Sequence, residues 1–492
     1  MEKSALNEIL KREVDKLTQL AEGYLEKDTR VDKMELGLLK ELLSICYTLL
    51  EFILQQKINQ KLDKIPKDKY GEKVYGKGLQ SRNYQSLFGK HQLLRPSYWT
   101  KSLGKFFVLD EDLSLPQAKW SYNLQELIGL NASENDFRES VRVVNKLLGL
   151  NLSGKSSERN AGRLGVEVEN YYESKELLPR TDAVCFSATF DGKGVPKIKD
   201  AAKKEGNPKK KLGKGEKKGV MQMATVGVMS CFEPRQRTSN SIINTLMGSP
   251  LSKVQPDKAI KLEKQVNDNK WHQDIHRRSF LADQAKSVDY GIGHLKERMK
   301  NPDSKFVVPL DGGIGLEEKV MAAVKKYGLE IQFDGIIMDI IHVSEYVWKA
   351  ATAIYGEKSK SRAPWVRKAL EDLLASKTDE VIERLEGLLE KKKLSKAKIK
   401  QVQKTINYFK NHKHKMDYQK FIDKGYPVSS ALVEAACGHL VKERMEQSGM
   451  RWSSLGAQNI MDLRAVKLNE DMDDFMEFVI SKDRIRKNGK AA

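Results

Sequence analysis

No stretch of this chain leaves less choice than AVCFSATF (183–190), in which every position is apolar or small. A run like this cannot leave either face in water. It reads as a central strand buried on both sides. The run ends at Asp191. Further strand candidates follow in VMQMATVGVMSCF (220–232), FVVPL (306–310), which ends at Asp311, and LEIQFDGIIMDII (329–341). GLEEKVMAAVKKYG (315–328) has helical spacing. Strand, strand, long connection, strand, helix, strand and then helices predicts an α/β core carrying extra helical parts, over 179–342 and 425–475. The Lys- and Glu-rich segment 343–424 reads as an all-helical insertion, and 476–492 as a basic C-terminal tail.

The preceding third of the chain has a different character. Residues 1–62 carry apolar side chains at spacings of three and four, and ELGLLKELLSICYTLLEFILQQ (35–56) is apolar on more than one face. That face packs either against a second copy, making a homo-oligomer, or against the chain's own core. Residues 63–120 read as a small β-rich region. In SLFGKHQLLRPSYW (86–99), His91, Arg95, Tyr98 and Trp99, with Lys101 just beyond, interleave basic and aromatic groups. Such residues can contact DNA, but in a small ribbon they more often form the mini-core.

Between 121 and 178 a stripe of Phe137, Val141, Val144, Leu147 and Leu148 precedes Gly149 and a polar helix bearing Lys155, Arg159 and Arg163. This predicts a helix-turn-helix that presents those three cations to DNA. The same place spells GLNLSGKS (149–156), a match to the phosphate-loop string GxxxxGK[ST]. That motif needs a buried strand before its first glycine, and FRESVRVVNKLL is spaced as a helix. A P-loop ATPase acting on DNA therefore stands as a lesser alternative.

Lys and Arg total 87 against 67 Asp and Glu, a formal charge of +20. The excess suits a polyanionic partner such as double-stranded DNA. Eleven lysines between 193 and 218, Lys209, Lys210 and Lys211 among them, would add counterion-release affinity without sequence preference. The four cysteines have no CxxC spacing, which argues against a disulfide framework and against a zinc finger. No apolar run reaches the ~20 residues of a membrane span. The expectation is a cytoplasmic, nucleoid-associated protein.

Acidic residues carry the chemistry. Asp191 and Asp311 each close an apolar strand, where ligands and catalytic groups of open α/β sheets gather. Each is followed by Gly, and Asp-Gly is also simply a favoured turn. Glu434 has Ser430, Ala431, Cys437 and Gly438 as its helical neighbours, so it is expected on a small, apolar face. A carboxylate turned toward a core needs a cation, either a shared metal or a buried arginine. Three carboxylates suit Mg²⁺ or Mn²⁺, and two such ions serve in-line phosphodiester displacement. Asp339 and His342 form a second polar pair. They could help to position the site or DNA, Asp339 could replace Asp311 as a metal ligand, or Asp339 could cap the helix that His342 enters.

In order, FDGKGVP, PLDGGIGLEEKV, MDIIHVSEYVWKAA and SALVEAACGHLVKERMEQSGMRWSSLGAQNIMDLRA resemble the DDE transposases of bacterial insertion sequences, most closely the ISKra4 type, over roughly 180–475. The resemblance implies an RNase H-like catalytic core with a helical insertion. It makes Asp191, Asp311 and Glu434 the metal-binding triad for DNA cleavage and strand transfer. Arg444, Arg451 and Trp452, in its last block, would hold a phosphate or flank an extruded base, although Trp452 could equally serve helix packing. Related elements often carry a zinc ribbon ahead of the core, and this chain has no cysteine between 47 and 184. A transposase descendant that binds DNA without reacting is the competing expectation.

Overall fold

The computed structural model describes residues 2–62, 72–181, 185–198, 221–247, 271–313, 315–391 and 393–489. The chain forms two compact units, one of residues 1–174 with 462–492, the other of 175–461.

The first unit begins with two helices, α1 (Glu2–Leu25) and α2 (Val31–Leu62). Leu54 and Ile58 of α2 are buried with Leu93, Leu109 and Leu115. Leu93 belongs to a three-stranded antiparallel sheet of β1 (Tyr75–Gln85), β2 (Lys90–Thr100) and β3 (Gly104–Phe106), in that order. A Leu, Ile and Val core built of Leu124, Ile128, Val141 and Val144 joins α3 (Tyr122–Glu134), α4 (Phe137–Leu148) and α5 (Gly154–Gly165). α4 starts where the Asp136 carboxylate accepts the N–H groups of Arg138 and Glu139, and stops at Gly149, whose φ of +66° a side chain would resist.

The C-terminal segment is not a tail. Met472–Gly489 is helical, and its Phe475 meets Tyr171 edge-on at 5.5 Å within this unit. The basic residues near its end are read more easily from sequence than the apolar stripe of Phe475, Met476 and Val479, all buried, that docks it.

The second unit holds β4 (Cys185–Pro196), β5 (Met221–Phe232), β6 (His272–Leu281), β7 (Lys305–Leu310) and β8 (Phe333–Met338). They form one mixed sheet ordered β6-β5-β4-β7-β8. β5 runs antiparallel to β4 and to β6, whereas β4, β7 and β8 are mutually parallel.

Both faces of this sheet are covered, as the central run requires. Phe186, Ala188 and Phe190 of β4 pack with Val288, Ile292 and Leu295 of α6 (Gln284–Arg298) and with Val320 and Val324 of α7 (Leu316–Tyr327). Alternate residues point the other way. Cys185 shares the opposite core with Val307, Ile337, α8 (Ile340–Tyr355) and α9 (Arg362–Leu374). Val381, Ile382 and Leu385 of α10 (Thr378–Lys391) and Val402, Ile406 and Phe409 of α11 (Lys396–His412) complete that core. The helical insertion is thus part of the sheet's second hydrophobic layer.

One expected strand shortens and one unexpected strand appears. The run at 329–341 is a strand only over Phe333–Met338, because Asp339 caps α8 at the point where the backbone turns helical. β6 was hidden in the long connection. Its residues HQDIHRRSFL are largely polar, as befits an edge strand with one neighbour.

Candidate functional site

Asp191 does not end its strand. β4 continues to Pro196, with Asp191 opposite Val226 of β5. Its pairing with β7, however, extends only over Cys185–Ser187, so Asp191 lies where β4 has parted from its parallel neighbour. That position matters more than the strand's end. The register sets Ser187 beside Val307. The same offset carried four residues on, past the paired stretch, leads to Asp191 and to Asp311, the first residue after β7, and the two are near enough for the Asp311 charge to act on Asp191. Two carboxylates from segments far apart in the chain thus stand on adjacent parallel strands, Asp191 within β4 and Asp311 just past β7.

Each is held by its own turn. Asp191 Oδ1 accepts the Gly192 N–H at 2.6 Å, and Asp311 Oδ1 accepts the Gly313 N–H at 2.8 Å. Gly312 between them in the second turn has φ +84°, a conformation that favours glycine. Tyr408 of α11 donates its hydroxyl to the Asp311 carbonyl at 3.1 Å and stacks on Tyr346 of α8 with ring centroids 3.8 Å apart. The insertion thereby braces the Asp311 turn.

Burial raises the Asp191 carboxyl above its ordinary value, and the Asp311 charge adds to the effect. The Gly192 N–H, the Cys437 thiol and His342 oppose it. A carboxyl displaced upward in this way is short of positive charge. Among the described residues no lysine or arginine forms an ion pair with Asp191, Asp311 or Glu434.

Glu434 lies in α12 (Ala431–Ala436), which packs on β4 and β5. It is exposed, contrary to the expectation of an inward carboxylate. The buried positions are Val433, Ala436, Cys437 and Leu440. Small neighbours did not make a buried face, and past Cys437 the backbone widens into a π-helical turn, Cys437–Lys442, that shifts the helical phase. Cys437 links the acids. Its thiol donates to Asp191 Oδ2 at 3.4 Å, and burial first, then the charges of Asp191 and Glu434, push that thiol upward.

Asp339 is level with Asp311, since β8 sets Met338 beside Leu310. Its role is different. It is 1 % exposed, accepts the Ile341 N–H at 2.9 Å and the Ser430 hydroxyl at 2.6 Å, and so spends both carboxylate oxygens on local structure. His342 is partly buried near Asp191.

The basic residues separate into three groups. Lys155 and Arg159 are exposed on α5. Arg163 turns inward and pairs with Asp483 at 3.7 Å, because the third turn of α5 faces the C-terminal helix of the same unit. Lys209, Lys210 and Lys211 lie outside the described residues. Arg444 is fully buried, with its guanidinium 4.9 Å from the Trp452 ring centroid and a hydrogen bond to Met450 Sδ. Trp452 is 6 % exposed and donates its indole N–H to the Met445 carbonyl at 3.0 Å. These two hold the turn after the π-helical segment together, so the packing alternative describes them and a phosphate or base contact does not. Arg451 is exposed.

The phosphate-loop string follows a helix, α4, and its Gly154 opens another, so the strand that its mechanics require is missing. Among the described residues no three His, Cys, Asp or Glu side chains converge closely enough to hold a metal ion by themselves. Likewise no helix there is long and apolar enough to cross a membrane. Neither a family model nor a curated protein matches this chain.

Mg²⁺ does not need an all-protein cage. It keeps several waters and is commonly bound through one or two carboxylates plus substrate phosphates. The Asp191 and Asp311 pair, with no cation of its own, fits that donor set, and Glu434 stands on the helix beside it.

Proposed function

We propose that this protein is a DNA transposase of the DDE type, similar to those of ISKra4-type insertion sequences, acting through Asp191, Asp311 and Glu434. The observation that carries the reading is the approach of Asp191 and Asp311 where β4 parts from parallel β7, close enough for one charge to act on the other. The mixed five-stranded sheet ordered β6-β5-β4-β7-β8, with the second strand in sequence antiparallel, is compatible with the RNase H-like core that the resemblance implies and supports the reading. So does a glutamate helix that returns to β4 after a helical insertion.

In this reading Asp191 and Asp311 hold the ions, and Glu434 completes the set from α12. Mg²⁺ or Mn²⁺ held by them would supply the positive charge that an in-line phosphodiester displacement needs at its attacking and leaving oxygens. The Cys437 thiol fixes the rotamer of Asp191. Water attacks in cleavage and a DNA 3′ hydroxyl in strand transfer. Lys155 and Arg159 contact the element's ends, and copies associate through the exposed stripe of Leu39, Leu42 and Ile53 on α2.

Alanine at Asp191 or Glu434 is expected to abolish Mg²⁺-dependent nicking and to weaken Mn²⁺ binding in titration calorimetry, while duplex binding persists. Retained cleavage rules the assignment out. A second reading, a descendant that binds DNA without cutting it, is favoured by the exposure of Glu434 and the open arrangement of the acids. Nicking by the unaltered protein dismisses it.

A further inference from the structure

The first unit carries an aromatic surface that the transposase reading does not use. In the register of β1, β2 and β3, Tyr75 lies opposite Trp99 and Trp99 opposite Lys105, one row across three strands. Tyr75 is 45 % and Trp99 37 % exposed, with ring centroids 6.0 Å apart. The core of this sheet does not need them. His91 and Tyr98 are buried instead, His91 stacked on Tyr47 and Tyr98 tilted against Phe106.

Four lysines flank the row, with one carboxylate, Glu72, at its edge, where it accepts the Ser102 N–H and hydroxyl at 3.0 Å. Lys73 Nζ lies 5.5 Å from the Tyr75 ring centroid and Lys77 Nζ 5.8 Å from that of Trp99. Lys101 and Lys105 are exposed beside them. Exposed rings on an open sheet, rimmed by ammonium groups, match unpaired nucleotides in both parts: each base has a face to stack and each linkage a negative charge. A duplex keeps its base faces inside the stack, so it could use the lysines but not the rings. A protein partner would not call for four lysines around two aromatic side chains.

We propose that Tyr75 and Trp99 form a stacking platform for unpaired DNA bases, with Lys73, Lys77, Lys101 and Lys105 on the flanking phosphates. The choice of DNA over other single strands rests on the transposase reading, in which frayed or cleaved ends supply such bases. The platform itself rests on the sheet alone.

The test uses the full chain, a labelled 12-residue oligothymidine and a duplex of equal length. Trp99→Ala and Tyr75→Ala are each expected to weaken oligothymidine binding about tenfold. The double variant should weaken it further, duplex affinity should change less than about twofold, and Trp99→Phe should restore most of the loss. Because both rings are exposed, thermal midpoints should stay within about 1 °C of the parent. Equal losses on duplex and single strand, or no loss on either, overturn the platform. So does a parent protein that binds duplex and not oligothymidine, a result that leaves the transposase reading intact. A tenfold preference for oligouridine overturns the assignment to DNA. Oligothymidine binding by a protein that never nicks DNA supports the platform and defeats the enzymatic reading alone.

Discussion

Asp339 and Asp311 stand level at the ends of neighbouring strands, and replacing each separates structural from chemical use of a carboxylate. Asp339→Ala removes the cap from α8, which typically costs about 1 kcal/mol. It also strands the buried Ser430 hydroxyl, worth a further ~1–3 kcal/mol. The sum is about 2–4 kcal/mol. α8 supplies Val343, Val347, Ala350 and Ala351 to the core of the second unit, so that loss should appear in the cooperative unfolding of the unit rather than as local fraying. With a urea dependence of ~3 kcal/mol per M for a unit of this size, the midpoint falls by about 1 M. Unfolding followed through tryptophan emission, with Trp348 and Trp365 packed on the same core, reads it directly. Asp311→Asn, by contrast, keeps the turn's acceptor and should leave the midpoint within about 0.3 M while nicking disappears. A stable Asp339→Ala protein that has lost cleavage would refute the reasoning and make Asp339 the metal ligand.

Two other expectations follow from buried charge. Burial, then the charge of Arg298, pushes His294 down to about 3, and the ring stacks on His276, itself held well below its ordinary value mainly by burial. The unfolded chain takes up these protons near pH 6.5 and the folded chain does not, so stability is complete above pH 6.5 and is lost as pH falls toward 3. Urea midpoints at pH 7.5 and 5 should differ in the parent and differ less in His294→Leu. On α5, Lys155→Ala with Arg159→Ala should lower duplex affinity and reduce the salt slope by about 1–2 with unchanged stability, whereas Arg163→Ala, which takes the guanidinium from beside buried Asp483, should destabilise the protein and leave the slope unaltered.

What could be read from the chain divides along physical lines. β4, β5 and β7 are long apolar runs because both their faces are buried, and nothing else in the sequence mimics them. β6 escaped notice since an edge strand tolerates His, Arg, Asp and Gln at most positions. Among the acids, Asp191 and Asp311 were visible as Asp-Gly after apolar runs, but their approach is a property of strand register, which a single chain does not spell out. Glu434 does lie on a helix, but its small neighbours do not mark a buried face, since Ser430 and Cys437 are buried whereas Ala431 and Glu434 are exposed. Arg163, Arg444 and Trp452 look like DNA contacts in one dimension. Only packing shows that Asp483 and the turn around Met445 and Met450 claim them.

The chain leaves its first unit after Ser174 and comes back to it at Asp462. A stop codon just beyond Met461 would therefore spare Asp191, Asp311, Asp339 and Glu434 and cripple the opposite end of the gene product, stripping Phe475 from Tyr171. Recombination between related genes meets the same constraint. Exchanging one unit for another takes two crossovers at once, so the two should be inherited as a pair rather than shuffled.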